Sequence, residues 1–219
     1  MNLKLLSAYA TWILILLNIL VFMAANIGGA ADMLALSGSP AVDMAEPWRI
    51  VSYMFLHTYP VHLFCNIVAL LFIGALYESR LSGLSMTAVY ILAGIAGGLA
   101  FIAAGSVAQG DIRLSGCSAS ILGIGACVLC NRRRPMSHWR FILFAALAIA
   151  ATGVAGPNPA GSLAHVAGII AGALAGRLHK PQPAADSSIN PTLLNKIEQS
   201  GFSSLSASER ADLFMNNRR

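Results

Sequence analysis

Charge is what this chain has least of. Of its 219 residues only 11% are Asp, Glu, Lys or Arg, against about a quarter in soluble domains, and 57% are hydrophobic. That balance excludes an ordinary water-soluble domain and places the chain in a bilayer. Cysteine is scarce too: Cys65, Cys117, Cys127 and Cys130 all fall inside apolar windows, so none reads as half of an extracellular disulfide. Cys127 and Cys130 form a C-x-x-C with no second pair, for which packing is the simpler use and a metal or redox role the alternative. There is no H-E-x-x-H, and His57, His62 and His165 have no carboxylate neighbour in sequence to complete a zinc site, so no metal is expected. No repeat of about 20 to 50 residues is visible, which leaves a solenoid or an inverted-repeat transporter without support.

What the chain does have is apolar runs. A transmembrane helix needs about 20 largely apolar residues, with about 17 tolerable. Six windows qualify: 9–27, 61–77, 85–105, 116–131, 141–156 and 162–178, the fourth and sixth short and rich in small residues, as suits helices packed inside a bundle. The first window resembles a signal peptide in ending at "MAANIGGAA", but it is longer than the usual apolar core of about 7 to 15 residues. With the amino terminus cytoplasmic, all of the 14 basic residues except Arg49 and Arg113 fall on the inner side, as the positive-inside rule asks. The expectation is therefore an all-α membrane protein of six transmembrane helices with both termini cytoplasmic. The net charge of +5 is then a topology signal and gives no ground for a nucleic-acid partner; "NRRRPMSHWR" reads as a cytoplasmic loop.

Residues 28–60 form an outer segment too apolar for a free linker, expected to lie on or partly in the outer leaflet. Beyond Leu178 the composition shifts to the Pro- and Ser-rich "HKPQPAADSSINP", and the chain is expected to divide into a membrane domain, 1–180, and a cytoplasmic linker with a short helical tail, 181–219. In the tail Gly201 ends one helical pattern, and Ser206 with Glu209 reads as a capping box opening another.

Polar side chains inside spans are costly, so each asks for a reason. His62 and Asn66 stand four residues apart and project from one helix face about 5 to 6 Å apart. They could be polar glue to a neighbouring helix, or two donors aimed at one point, which is what an oxyanion site needs. Ser118 follows Gly116 at the mouth of the fourth window, where backbone amides lack intrahelical partners; a cap is one reading, a nucleophile the other. A nucleophile needs a base, and His165 lies near the outer end of the sixth window. With alternating spans the second, fourth and sixth windows all start on the same side, which puts His62, Ser118 and His165 at similar depth. Gly168, Gly172 and Gly176 recur every four residues after His165 and allow close approach of backbones, with Gly123 as a matching flat spot after Ser118. Since no Asp or Glu falls in a window interior, a Ser-His-Asp triad would lack its acid, and a dyad is what remains.

Taken together, "PWRIVSYMFLH", "HLFCN", "GALYESRLSG", "GCSA" and "AHVAGIIAG" over residues 9–178 resemble the rhomboid family of intramembrane serine proteases. The resemblance implies a six-helix rhomboid-like bundle, Ser118 as nucleophile, His165 as general base, and His62, Asn66 and the Ser118 amide as oxyanion donors. It implies, without any cofactor, cleavage of single-span membrane proteins near the outer face of a bilayer, here expected to be a bacterial inner membrane. Two positions depart from the family pattern: Ala119 stands where glycine commonly follows the serine, and Leu122 where an aromatic commonly stacks on the histidine. The alternative is a non-catalytic relative that binds and escorts transmembrane segments. Entry of substrate past the window 141–156, and a water-filled cavity lined by His57, Tyr59, His62, Asn66 and Ser118, complete the expectation.

Overall fold

The computed structural model describes residues 8–78, 81–105, 112–131, 159–178 and 191–216. The window 141–156, the run "RRRPMSHWR" and the linker after residue 178 lie outside the described residues. The chain divides into two units, Met1–Leu178 and His179–Arg219.

In the first unit every described element is helical apart from one isolated bridge, between Leu36 and Leu114. Helix α1 (Tyr9–Gly28) is followed by three short helices, α2 (Ala31–Leu34), α3 (Pro40–Ala45) and α4 (Arg49–Ser52). Then come α5 (Pro60–Glu78), α6 (Gly83–Gly105), α7 (Ser118–Cys130) and α8 (Pro159–Leu178). Four of these, α1, α5, α6 and α8, are long and apolar enough to cross a membrane, and α7 is a shorter apolar helix. Proline opens α5 and α8, where its missing N–H is not needed and its fixed φ suits the first turn. For α8 this moves the start three residues ahead of the apolar window and brings the helix to 20 residues.

The outward faces of α1, α5 and α8 carry large apolar side chains such as Leu16, Leu20, Phe64, Phe72, Ile170 and Leu174, all exposed, as befits surfaces whose solvent is lipid. Because lipid tails are as apolar as leucine, burying such groups does little to hold the helices together; close backbone packing and interhelical hydrogen bonds must do it. Both are present. Thr11 on α1 donates through Oγ1 to Glu78 Oε1 at 2.6 Å, and the Thr11 and Ala10 amides donate to the same carboxylate at 2.7 and 3.2 Å. Glu78, at the last residue of α5, thus caps the start of α1, where amides lack intrahelical partners and a negative charge is favoured. Deeper in, Asn18 Nδ2 donates to Tyr90 Oη at 3.3 Å, and Tyr90 Oη donates to the Met54 carbonyl at 3.2 Å.

The segment 28–60 is tied down by its few charges. Asp43 is fully buried and accepts from the Ser37 and Gly38 amides at 2.9 and 3.1 Å and from Ser37 Oγ at 3.0 Å. Arg49, also buried, donates to the carbonyls of Asp32 and Ala35 and pairs with Glu46, while Arg113 pairs with Asp32. Behind α4 the side chains of Tyr53, Met54 and Leu56 enter the core completely, and Tyr53 Oη donates to the Gly94 carbonyl of α6 at 2.6 Å. This segment is therefore part of the packed bundle.

At the centre, α7 is buried at every position from Ala119 to Val128, and it packs mainly against α8 and α6. The contact with α8 is backbone on backbone. A Cβ built on Gly168 would meet the Ala119 carbonyl, one on Gly172 the Gly123 carbonyl, and one on Gly176 the Cys127 carbonyl. Three glycines four residues apart thus face three carbonyls four residues apart, and no side chain keeps the helices apart there.

The second unit is a small helical pair: α9 (Pro191–Ser200), a 3₁₀ turn (Phe202–Ser204) and α10 (Ala207–Asn216). Gly201, with φ +74°, ends α9. The capping box is formed, the Ser206 amide donating to Glu209 Oε2 at 2.7 Å and the Glu209 amide to Ser206 Oγ at 3.2 Å. Lys196 bridges back to Glu209 at 2.8 Å, and Leu193 and Leu205 are buried.

Candidate active site

The window 116–131 begins as a turn, and the helix starts only at Ser118. Gly116 has φ +111°, a conformation that side-chain-bearing residues rarely adopt, and its amide donates to the Tyr53 carbonyl at 2.9 Å. Space is also denied there: a Cβ on Gly116 would stand 2.6 Å from His62 Cε1, 2.9 Å from His62 Nε2 and 3.6 Å from Asn66 Nδ2. The side chains of His62 and Asn66 therefore converge on the backbone two residues before Ser118, whose amide is among the free donors of the first turn of α7.

Across the α7–α8 contact, Ser118 Oγ lies 2.6 Å from His165 Nε2. His165 is 4% exposed, and its Nδ1 is buried without a hydrogen-bond partner among the described residues. His165 stands on α8 one residue after the fully buried Ala164 and three before Gly168, which is pressed against the Ala119 backbone of α7. Leu122, one turn after Ser118, is buried as well. Among the described residues no three His, Cys, Asp or Glu side chains are grouped as ligands for a metal ion.

The structure brings Ser118 and His165 together, and His62, Asn66 and Gly116 beside them; Gly123, Gly168 and Gly172 form the helix contact that sets the spacing. His57 sits differently from the expectation that it lines an open cavity. It is fully buried, with Nε2 3.1 Å from Asn66 Nδ2 and 3.7 Å from Cys117 Sγ, and its ring meets that of His62 edge-on at 5.0 Å. Burial, and then the neighbouring His62, push the His57 imidazole down from 6.5 to about 4, so it is neutral under ordinary conditions. Tyr59, by contrast, is 70% exposed. The residue that sequence reasoning passed over is Tyr53, whose carbonyl holds Gly116 and whose hydroxyl anchors on α6; only its place in the apolar run "IVSYMFLH" hinted at it.

A serine hydroxyl hydrogen-bonded to an imidazole between apolar helices, with side-chain donors gathered at the same helix start, defines a polar site inside a multi-span helical membrane protein. The Rhomboid domain family matches residues 44–182, which include every residue of this site, and the chain belongs to that family. It is similar to RHOMBOID-like protein 5 of Arabidopsis thaliana, 30% identical over 83 residues, covering 38% of this chain and 26% of the relative. It is also similar to Inactive RHOMBOID-like protein 8 of the same plant, 36% identical over 64 residues, 29% of this chain and 18% of the relative. The matched parts are thus about a quarter or less of those proteins' length.

Proposed function

We propose that this chain is an intramembrane serine endopeptidase that cleaves single-span membrane proteins near the outer face of the bilayer. The observation that carries the reading is the 2.6 Å approach of Ser118 Oγ to His165 Nε2, within the range of a strong O–H to N hydrogen bond. His165 takes the Oγ proton at Nε2 as the serine oxygen attacks a peptide carbonyl; the same Nε2–H then goes to the leaving amine, and water hydrolyses the acyl-enzyme. His62, Asn66 and the Ser118 amide supply the donors that meet the oxyanion. A substrate must offer its scissile carbonyl in extended form, since a helix hides it in an internal bond; segments weakened by Gly or Pro near their outer end are the expected clients.

The six-span topology with both termini inside, and residence in a bacterial inner membrane, belong to the same reading; they rest on the charge distribution and on the resemblance. A second reading, a non-catalytic protein that binds transmembrane segments, draws support from one relative whose name calls it inactive. One assay separates the two. Purified wild type, Ser118→Ala and His165→Ala are compared on a model transmembrane substrate, with fluorophosphonate labelling to map the reactive residue. The protease reading expects cleavage and labelling by wild type, and neither cleavage nor labelling by the folded Ser118→Ala variant. Undiminished cleavage by that variant, or an inert wild type that still captures the substrate, would reject it.

A further inference from the structure

His57 does more than fill space beneath the site: both groups facing its Nε2, Asn66 Nδ2 at 3.1 Å and Cys117 Sγ at 3.7 Å, are hydrogen-bond donors. An amide nitrogen only donates, so with Asn66 Nδ2 turned toward it Nε2 is the acceptor and the ring proton goes to Nδ1, which is buried without a hydrogen-bond partner among the described residues. We propose that His57 is a positioning residue which, by accepting one N–H of Asn66, decides which end of that amide faces Ser118. This rests on the serine-protease reading of the same site.

The chemistry is a matter of polarity. Asn66 has two hydrogens on Nδ2: one is accepted by His57, which leaves one more on a nitrogen that stands 3.6 Å from where a Cβ on Gly116 would be, beside the His62 ring. The terminal torsion of asparagine is broad and roughly two-fold, so nothing intrinsic to the residue prevents a half-turn that swaps Nδ2 for Oδ1. With Oδ1 inward the site would present a lone pair to a developing oxyanion and repel it. A donor at Nε2, in place of the lone pair, would favour that reversed orientation. Cys117, directly before Ser118, adds its thiol to the same nitrogen and so joins the start of α7 to the imidazole that orients Asn66.

The test is a double-substitution cycle on the full-length protein in detergent, with kcat and KM measured on a transmembrane substrate. His57→Phe keeps a ring and removes the acceptor; His57→Gln offers Oε1 as a replacement acceptor. An oxyanion donor acts only in the transition state, so kcat is expected to fall about 10- to 100-fold in His57→Phe with KM unchanged, and to recover mostly in His57→Gln. In an Asn66→Ala background, His57→Phe should cost less than about three-fold more. Equal losses in both backgrounds, or a loss confined to KM, would overturn the proposal. Nitrogen NMR of histidine-labelled wild type stands independent of activity and of whether a variant folds. It should show His57 protonated at Nδ1 and bare at Nε2 at neutral pH; a proton on Nε2 refutes the positioning role. Should Ser118→Ala cleave like wild type while the tautomer is as stated, the protease reading fails and takes the catalytic consequence with it, but the hydrogen bond stands.

Discussion

The distance between Ser118 and His165 is set by backbone contact between α7 and α8, so adding one methyl group there should separate the pair without touching it. In Gly172→Ala the new Cβ would land on the Gly123 carbonyl and 2.6 Å from Gly123 Cα. Carbon atoms pack at about 3.5 to 4.0 Å, and both obstacles are backbone, so the helices must part by about 1 Å. Overpacking of this kind costs about 1 to 3 kcal/mol, and alanine returns up to about 1 kcal/mol of helix propensity, leaving a net loss of about 1 to 2 kcal/mol. The same displacement would stretch the Ser118 to His165 contact from 2.6 Å to about 3.6 Å, beyond a hydrogen bond. A misplacement of about 1 Å costs about 10²-fold in rate. Thermal unfolding and cleavage rate of the purified protein read the two effects. Gly28→Ala, where a Cβ meets nothing within 4 Å, is the control and should leave both unchanged or slightly raise stability. If Gly172→Ala melts and cleaves like wild type, the close approach does not govern the spacing.

Two further outcomes follow from groups outside the Ser118 and His165 pair. His57 has its folded value lowered to about 4 from 6.5. Its neutral burial therefore supports the fold above pH 6.5, and that support, about 3 kcal/mol at most, is lost as pH falls through about 4, because the unfolded chain takes up the proton first. The melting temperature should drop across that window, and His57→Gln should flatten the drop; an identical profile in the variant would contradict the assignment. Glu78→Gln leaves one oxygen to accept but removes the charge from the start of α1, and should cost about 1 to 2 kcal/mol in thermal unfolding. No loss would mean that the three bonds from Ala10 and Thr11 do not hold α1 to α5.

The apolar helices were legible because lipid imposes a length and a composition that no other solvent does. The windows 9–27, 61–77 and 85–105 agree with α1, α5 and α6 to within two residues at either end. The start of α7 was displaced by two residues because Gly116 and Cys117, apolar enough to join a window, are needed in a turn that folds back on Tyr53. Little in the pattern spoke for Glu78: its partners lie 67 and 68 positions away, and a carboxylate beside "SRLSG" reads as an ordinary loop charge. The segment 28–60 was hardest. Helices of four to six residues are too short for periodicity to show, and a buried Asp43 or Arg49 is defined by carbonyls and amides that composition does not reveal. At the site, residue types and their depth were readable, but the contact of Asn66 with His57 depends on how the segment 28–60 is folded in.

The brevity of α7 bears on what holds it in the membrane. Thirteen residues at 1.5 Å each reach about 20 Å, well short of a hydrocarbon layer of about 30 Å, and every side chain from Ala119 to Val128 is buried. Alone, such a segment would be a poor candidate for partitioning into lipid. What holds it at its depth is protein on both sides, α6 and α8, so that Ser118 opens a helix whose surroundings are other helices more than lipid.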